Sequence, residues 1–240
     1  HLCHPRLISI QTAVEIGSRC RKHSTVIVPY NVKSSNFLEI RRHSSDPTIS
    51  FVGYVPQVSI RGIVRTFRKW PPHPIKANGA LVRRFGTEIV KKQKSHFVIV
   101  RENYSATHKA AREFPNRRSE FINSLRHSDF VFSPRGYGNA SQRFYEALAW
   151  GRIPIIPNTD IKFPRILGPK LGNYFIMTAP NSKNLSNVMN EFWRNLNQET
   201  YASLQKEIFD FFRDEISQDN YIFKMFSGNV NRMLQTYSLV

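Results

Sequence analysis

The side chains best suited to chemistry are gathered in one run, DFVFSPRGYGNASQRFYEALAWGRIPIIPNTDIKFP, residues 129–164. Arg135 and Arg143 offer fixed, bidentate positive charge of the kind a diphosphate accepts. Gly136 and Gly138 lack a Cβ and let the backbone come close to a ligand. Ser141 is predicted near the N-cap of a helix, where its hydroxyl can cap the helix or bond a phosphate oxygen. The unpaired amides and the positive dipole end of that helix add an anion site. Glu146 follows about one and a half turns later, where a carboxylate can accept both hydroxyls of a ribose. The spacing suits a nucleoside diphosphate laid along the helix start. A plainer reading exists for each part. Glycine and proline between a strand and a helix are ordinary connection chemistry, and Arg143 with Glu146 at i, i+3 makes an ordinary surface ion pair.

Those residues need elements to hold them. DFVFS (129–133) reads as a strand, SQRFYEALAW (141–150) as a helix closed by Gly151, and IPIIP (153–157) as the next strand. Upstream, TVIVPY (25–30) and TISFVGYV (48–55) read as strands, the second after a turn at Asp46-Pro47 and with Gly53 at its carboxyl end. Two basic helices fit 61–94, broken by WPPHP, and HFVIV (96–100) is a further strand. NRRSEFINSLRHS (116–128) has the period of an amphipathic helix, and NYFIM (173–177) that of one more strand. Residues 182–238 read as two or three amphipathic helices. Short apolar strands alternating with helices predict an α/β fold, a parallel sheet covered on both faces. In such sheets ligands bind at the carboxyl ends of the strands.

The bulk properties narrow the partner. Lys and Arg number 35 against 17 Asp and Glu, a formal +18 over 240 residues, so the partner is expected to be anionic. With 40% hydrophobic residues the chain has enough apolar material for a packed core. No apolar run reaches the roughly 18 residues that span a bilayer. Cys3 and Cys20 are too few for a disulfide scaffold and lack zinc-site spacing; one bond and two free thiols are equally compatible. The chain opens HLCHPRL without a Met or a signal peptide and reads as trimmed. A basic nucleic-acid-binding protein is the main rival reading of the charge, but no recognised binding motif appears and the charge is spread.

The run FSPRGYGNASQRFYEALAWGRIPIIPNTDIKFP resembles the signature of the exostosin-like glycosyltransferases: a PRG loop, a Ser-x-Arg-Phe-x-Glu helix start, a Gly-x-Ile-Pro strand and a later acidic residue before a proline. TVIVPYNV, TISFVGYV with the following Ile60-Arg61, and the helix-rich tail resemble the family more weakly. The resemblance implies the C-terminal half of a GT-B enzyme, a Rossmann-like domain holding the donor, and an inverting, metal-independent transfer from a UDP-sugar to a glycan or glycoprotein hydroxyl. No other cofactor is implied, and a non-catalytic glycan-binding member of the same fold is the third reading. Carried over by position, Arg135, Ser141 and Arg143 contact the diphosphate and Glu146 the ribose, while Gly53 and Arg61 approach from the other side. Asp160 occupies the family's acidic position and is the candidate base or sugar contact; His4 and His23 are weaker candidates. A compact basic form resembles the viral and microbial branches, for which UDP-xylose is the donor expected. Localisation divides between cytoplasm for such a form and Golgi lumen for a trimmed animal or plant member. Residues 1–45 are too few for a full acceptor half, so a reduced or truncated N-terminal half is expected there, with the nucleotide-sugar domain at 46–225 and a helical tail at 226–240.

Overall fold

The computed structural model describes residues 9–11, 25–30, 32, 37–69, 74–101, 114–136, 138–164, 167, 169–217 and 219–221. Cys3, Cys20, His4, His23 and the 226–240 tail lie outside them. Two short strands, β1 (Ser9–Gln11) and β2 (Thr25–Ile27), pair in parallel as a separate small sheet. The main sheet has five strands, all parallel: β3 (Ile49–Tyr54), β4 (His96–Arg101), β5 (Phe130–Phe132), β6 (Ile153–Pro157) and β7 (Ile176–Thr178). Their order across the sheet is β4-β3-β5-β6-β7. The predicted α/β Rossmann-like class is the one observed. β5 and β6 are buried at every residue, and that two-sided burial is why their sequence runs are continuously apolar instead of alternating.

The chain leaves β3 for β4 on one side and β5 on the other, so the strand order reverses between β3 and β5. That is the topological switch point, where the loops after neighbouring strands part and leave a crevice at their carboxyl ends. Helices fill the connections, α1 (Ile60–Lys69), the short α2 (Pro74–Ala77), α3 (Gly79–Lys91), α4 (Arg117–Arg126) and α5 (Gln142–Leu148), and two more, α6 (Leu185–Arg194) and α7 (Gln198–Phe211), follow β7. Gly151, at φ +62°, closes the α5 turn as expected. The strand predicted at 173–177 instead begins at Ile176. Pro169–Tyr174 form a 3-10 helix, and Phe175 sits in an aromatic cluster with Phe144 and Phe163.

Two glycines set how α3 lies. A Cβ at Gly86 would stand 2.0 Å from the Phe132 ring, and one at Gly79 would stand 2.4 Å from the Gly136 carbonyl oxygen. Seven residues apart, they lie on one face of the helix, so α3 can press against β5 along its length and against the loop that follows β5. Asn78 caps this helix, its side chain accepting from the amides of Ala80 and Leu81.

At the amino ends of the strands a buried polar network ties the layers together. Asp129 accepts from Arg41 Nε (2.7 Å), the Tyr201 hydroxyl (2.9 Å) and the Thr48 amide (2.8 Å). Arg152, fully buried, donates to the Leu125 carbonyl, Gln205 Oε1 and the Glu39 carbonyl. Burial pushes its guanidinium down to about 10, still cationic at neutral pH. Burial likewise raises the Tyr201 phenol, with Asp129 adding to the shift.

Candidate functional site

At the carboxyl end of the sheet, β5 runs into the loop Ser133–Ala140 and then α5. The loop is pinned from three sides. Arg83 of α3 donates from Nη1 to the Tyr54 carbonyl at the end of β3 (2.7 Å) and from Nε to the Arg135 carbonyl (2.9 Å), so one guanidinium ties the end of β3 to the loop after β5 across the switch point. Arg135 is itself buried and donates from Nη1 to the Lys76 carbonyl (2.8 Å). Asn139 and Thr159 exchange two hydrogen bonds, 2.8 and 2.7 Å, joining this loop to the one after β6. The Gly136 amide, donating to the Ala140 carbonyl, closes the loop on itself, with Gly138 half-buried in it.

Arg143, in the first turn of α5, reaches back across the end of β3. Its Nε donates to the Val52 carbonyl (2.7 Å), and its guanidinium carbon lies 5.0 Å from the centroid of the Phe51 ring. A Cβ on Gly53 would stand 1.9 Å from Arg143 Nη2. Gly53 therefore makes room for this guanidinium, and it is through Arg143 that the glycine belongs to the site. The sequence offers no way to see that partnership, because 90 residues separate the two.

Ser141 is the N-cap of α5 by backbone geometry, φ −133° and ψ 116°. Its side chain makes no capping bond, and its Oγ is buried with no hydrogen-bond partner among the described residues, on a residue 3% exposed. An unpaired buried hydroxyl costs about 1–3 kcal/mol, and such groups are rare enough in native folds to need a reason. α5 has seven residues where ten were predicted, so its opposite dipole end is only roughly 10 Å away. The positive potential here comes mainly from arginines, not from the helix.

Glu146 is 6% exposed and accepts from Arg118 Nη1 of α4 at 2.8 Å. Burial raises its carboxyl above the usual range, and the Arg118 hydrogen bond and charge, with the Arg143 charge, pull it partly back. Asp160 lies beyond β6 in the left-handed region, φ +57°, an uncommon conformation for a side-chain-bearing residue that recurs at functional sites. Its Oδ1 pairs with Lys76 Nζ at 2.9 Å, and the Lys76 carbonyl holds Arg135, so α2 connects the two loops.

Of the residues singled out in the sequence, Gly53 and Arg143 meet directly, Glu146 lies one turn beyond Arg143, and Arg135 and Asp160 meet through Lys76. Arg61 stands exposed in the first turn of α1 and makes no hydrogen bond or ion pair among the described residues. Arg83, Arg118, Lys76, Asn139 and Thr159 carry the architecture but have no signature in the sequence. The basic stretch contains Arg83 and Lys76 among many like charges. Among the described residues no group of three or more His, Cys, Asp or Glu is placed to hold a metal ion, and no helix is long and apolar enough to cross a membrane.

Residues 82–164 match the family described as RXYLT1 C-terminal domain. The matched window is about a third of the chain. It starts beside Arg83 in α3, ends four residues past Asp160, and contains the whole loop–helix–strand unit. No curated protein matches the chain. The match points to a glycosyltransferase family, and it falls on the segment where the geometry gathers the candidate site.

Proposed function

We propose that this chain is the donor-binding half of a GT-B glycosyltransferase of the exostosin-like kind, inverting and metal-independent, which takes a UDP-sugar and transfers the sugar to a glycan hydroxyl. UDP-xylose is the donor proposed, because the matched family is xylosyltransferase-like. The observation that carries the reading is the pairing of a buried, partnerless Ser141 hydroxyl with the Arg143 guanidinium laid over Gly53 at the switch point. A hydroxyl donor and a fixed cation beside a glycine-bearing loop suit a phosphate better than they suit an apolar or cationic ligand.

In this reading Arg135 and Arg143 stabilise the negative charge that gathers on UDP as the glycosidic bond breaks. Ser141 Oγ donates to a phosphate oxygen, and Glu146 accepts from the ribose. Asp160 faces the sugar or takes the acceptor's proton, with Lys76 holding its carboxylate in place. Arg61 adds a cation from the β3 side. The test is thermal stabilisation by UDP. At a concentration about 100 times Kd, binding adds about 2.7 kcal/mol, a rise of about 5–10 °C for a chain of this size. Arg143→Ala is expected to abolish the shift. A shift of equal size in that variant, or none in the wild type, overturns the reading. Hydrolysis of a UDP-sugar panel then identifies the donor, with UDP-xylose expected to turn over fastest.

A further inference from the structure

Arg118, like Arg83, is an arginine of the site that no sequence signal marks. It sits in the first turn of α4, an element separate from the loop and helix that carry the other ligand-facing groups. Its side chain is 47% exposed, yet its Nη1 is spent on Glu146, a carboxylate almost wholly withdrawn from water. Its guanidinium carbon lies 5.5 Å from the centroid of the Phe121 ring, one turn along the same helix. Among the described residues Glu146 forms no second hydrogen bond, so one carboxylate oxygen is held and the other has its lone pairs to offer.

A buried carboxylate with a single clamp is poorly explained as a stabilising pair, because the cost of desolvating an ion tends to exceed what one surface-facing partner returns. It is well explained as a prepared acceptor. We propose that Arg118 is the positioning residue of the nucleotide site. It clamps one oxygen of Glu146 and keeps the side chain anionic, so that the other oxygen accepts from the vicinal hydroxyls of a ribose and the site selects ribonucleotides over deoxyribonucleotides. This rests on the nucleotide reading above and assigns the selectivity to a residue outside the loop–helix unit. The charged groups that face Glu146 are Arg118 from α4 and Arg143 from its own helix. Removing Arg118 leaves only the second, and the carboxyl then protonates at higher pH.

The experiment is calorimetric titration of UDP and of 2′-deoxy-UDP into wild type, Arg118→Gln and Arg118→Lys, repeated across pH. The wild type prefers UDP about 10–100-fold, the value of a hydrogen bond to a charged group. In Arg118→Gln the preference drops to about threefold or less, while 2′-deoxy-UDP binding, carried by the diphosphate contacts, changes little. Arg118→Lys restores part of the preference. In Arg118→Gln any remaining preference disappears at higher pH than in wild type on acidification, a shift that a merely structural arginine does not produce. A wild type that binds UDP selectively, with selectivity and pH profile unchanged in Arg118→Gln, overturns this inference alone. A wild type that binds neither nucleotide overturns the nucleotide reading and this inference with it.

Discussion

The two ends of one sheet treat buried polar groups in opposite ways. At the amino ends of β5 and β6, all three guanidinium nitrogens of Arg152 donate to protein acceptors, and both oxygens of Asp129 are occupied. At the carboxyl ends, Ser141 Oγ has no partner among the described residues and Glu146 is clamped through one oxygen. A closed network specifies and rigidifies a fold. An open one keeps capacity for something not made of this chain. In the reading proposed above, the difference separates residues buried for the fold, which precede their strands, from residues buried for a ligand, which follow them.

Substitutions can break the comparison, starting with the largest effect. Arg152→Leu strands the Leu125 and Glu39 carbonyls and Gln205, and is expected to cost about 4 kcal/mol, lowering Tm by about 8–16 °C in thermal melts. Next come two glycines. Gly86→Ala drives a methyl into the Phe132 ring inside the core and should cost about 1–3 kcal/mol in chemical denaturation. Gly53→Ala meets only the guanidinium end of the Arg143 side chain, which can shift outward without disturbing the core, so its melting temperature stays within about 2 °C of wild type. UDP affinity falls about 10-fold all the same, one charged hydrogen bond's worth. If the two glycines respond alike, the distinction between the ends of the sheet fails.

Smaller effects sharpen it. The Glu146 carboxyl lies above its unfolded value because burial outweighs Arg118 and Arg143, so the native state holds its proton more tightly than the unfolded chain does. The stability this gives is present at low pH and is lost as pH rises through the native value. Glu146→Gln should therefore melt with wild type near about pH 4 and up to about 3 °C above it near about pH 8, while losing the preference for ribose. Ser141→Ala has the least effect on folding. An N-cap serine replaced by alanine usually costs about 1 kcal/mol, but this one makes no capping bond, so Tm should not fall while UDP binding weakens.

The fold was legible where periodicity and burial agree. DFVFS, IPIIP and HFVIV are apolar runs bounded by turn residues, and each is a strand of the parallel sheet. The boundary missed, at 173–177, failed because Phe175 packs into an aromatic cluster that no local pattern announces. Of the site, the loop–helix unit could be read because its arginines, serine and glutamate are close in sequence. The residues that aim them could not. Arg83, Arg118 and Lys76 act from other helices across 28 to 59 positions, distances set by the topology. Gly53 is legible as a strand end, but its reason, the guanidinium above it, appears only in three dimensions.

The most direct measurement is a crystal structure of the chain at saturating UDP. The account predicts the two phosphates in the turn between β5 and α5, within hydrogen-bond reach of Arg135, Arg143 and Ser141 Oγ, with the ribose on Glu146. UDP bound elsewhere, or that turn unchanged and without ligand at a concentration that saturates solution binding, contradicts it.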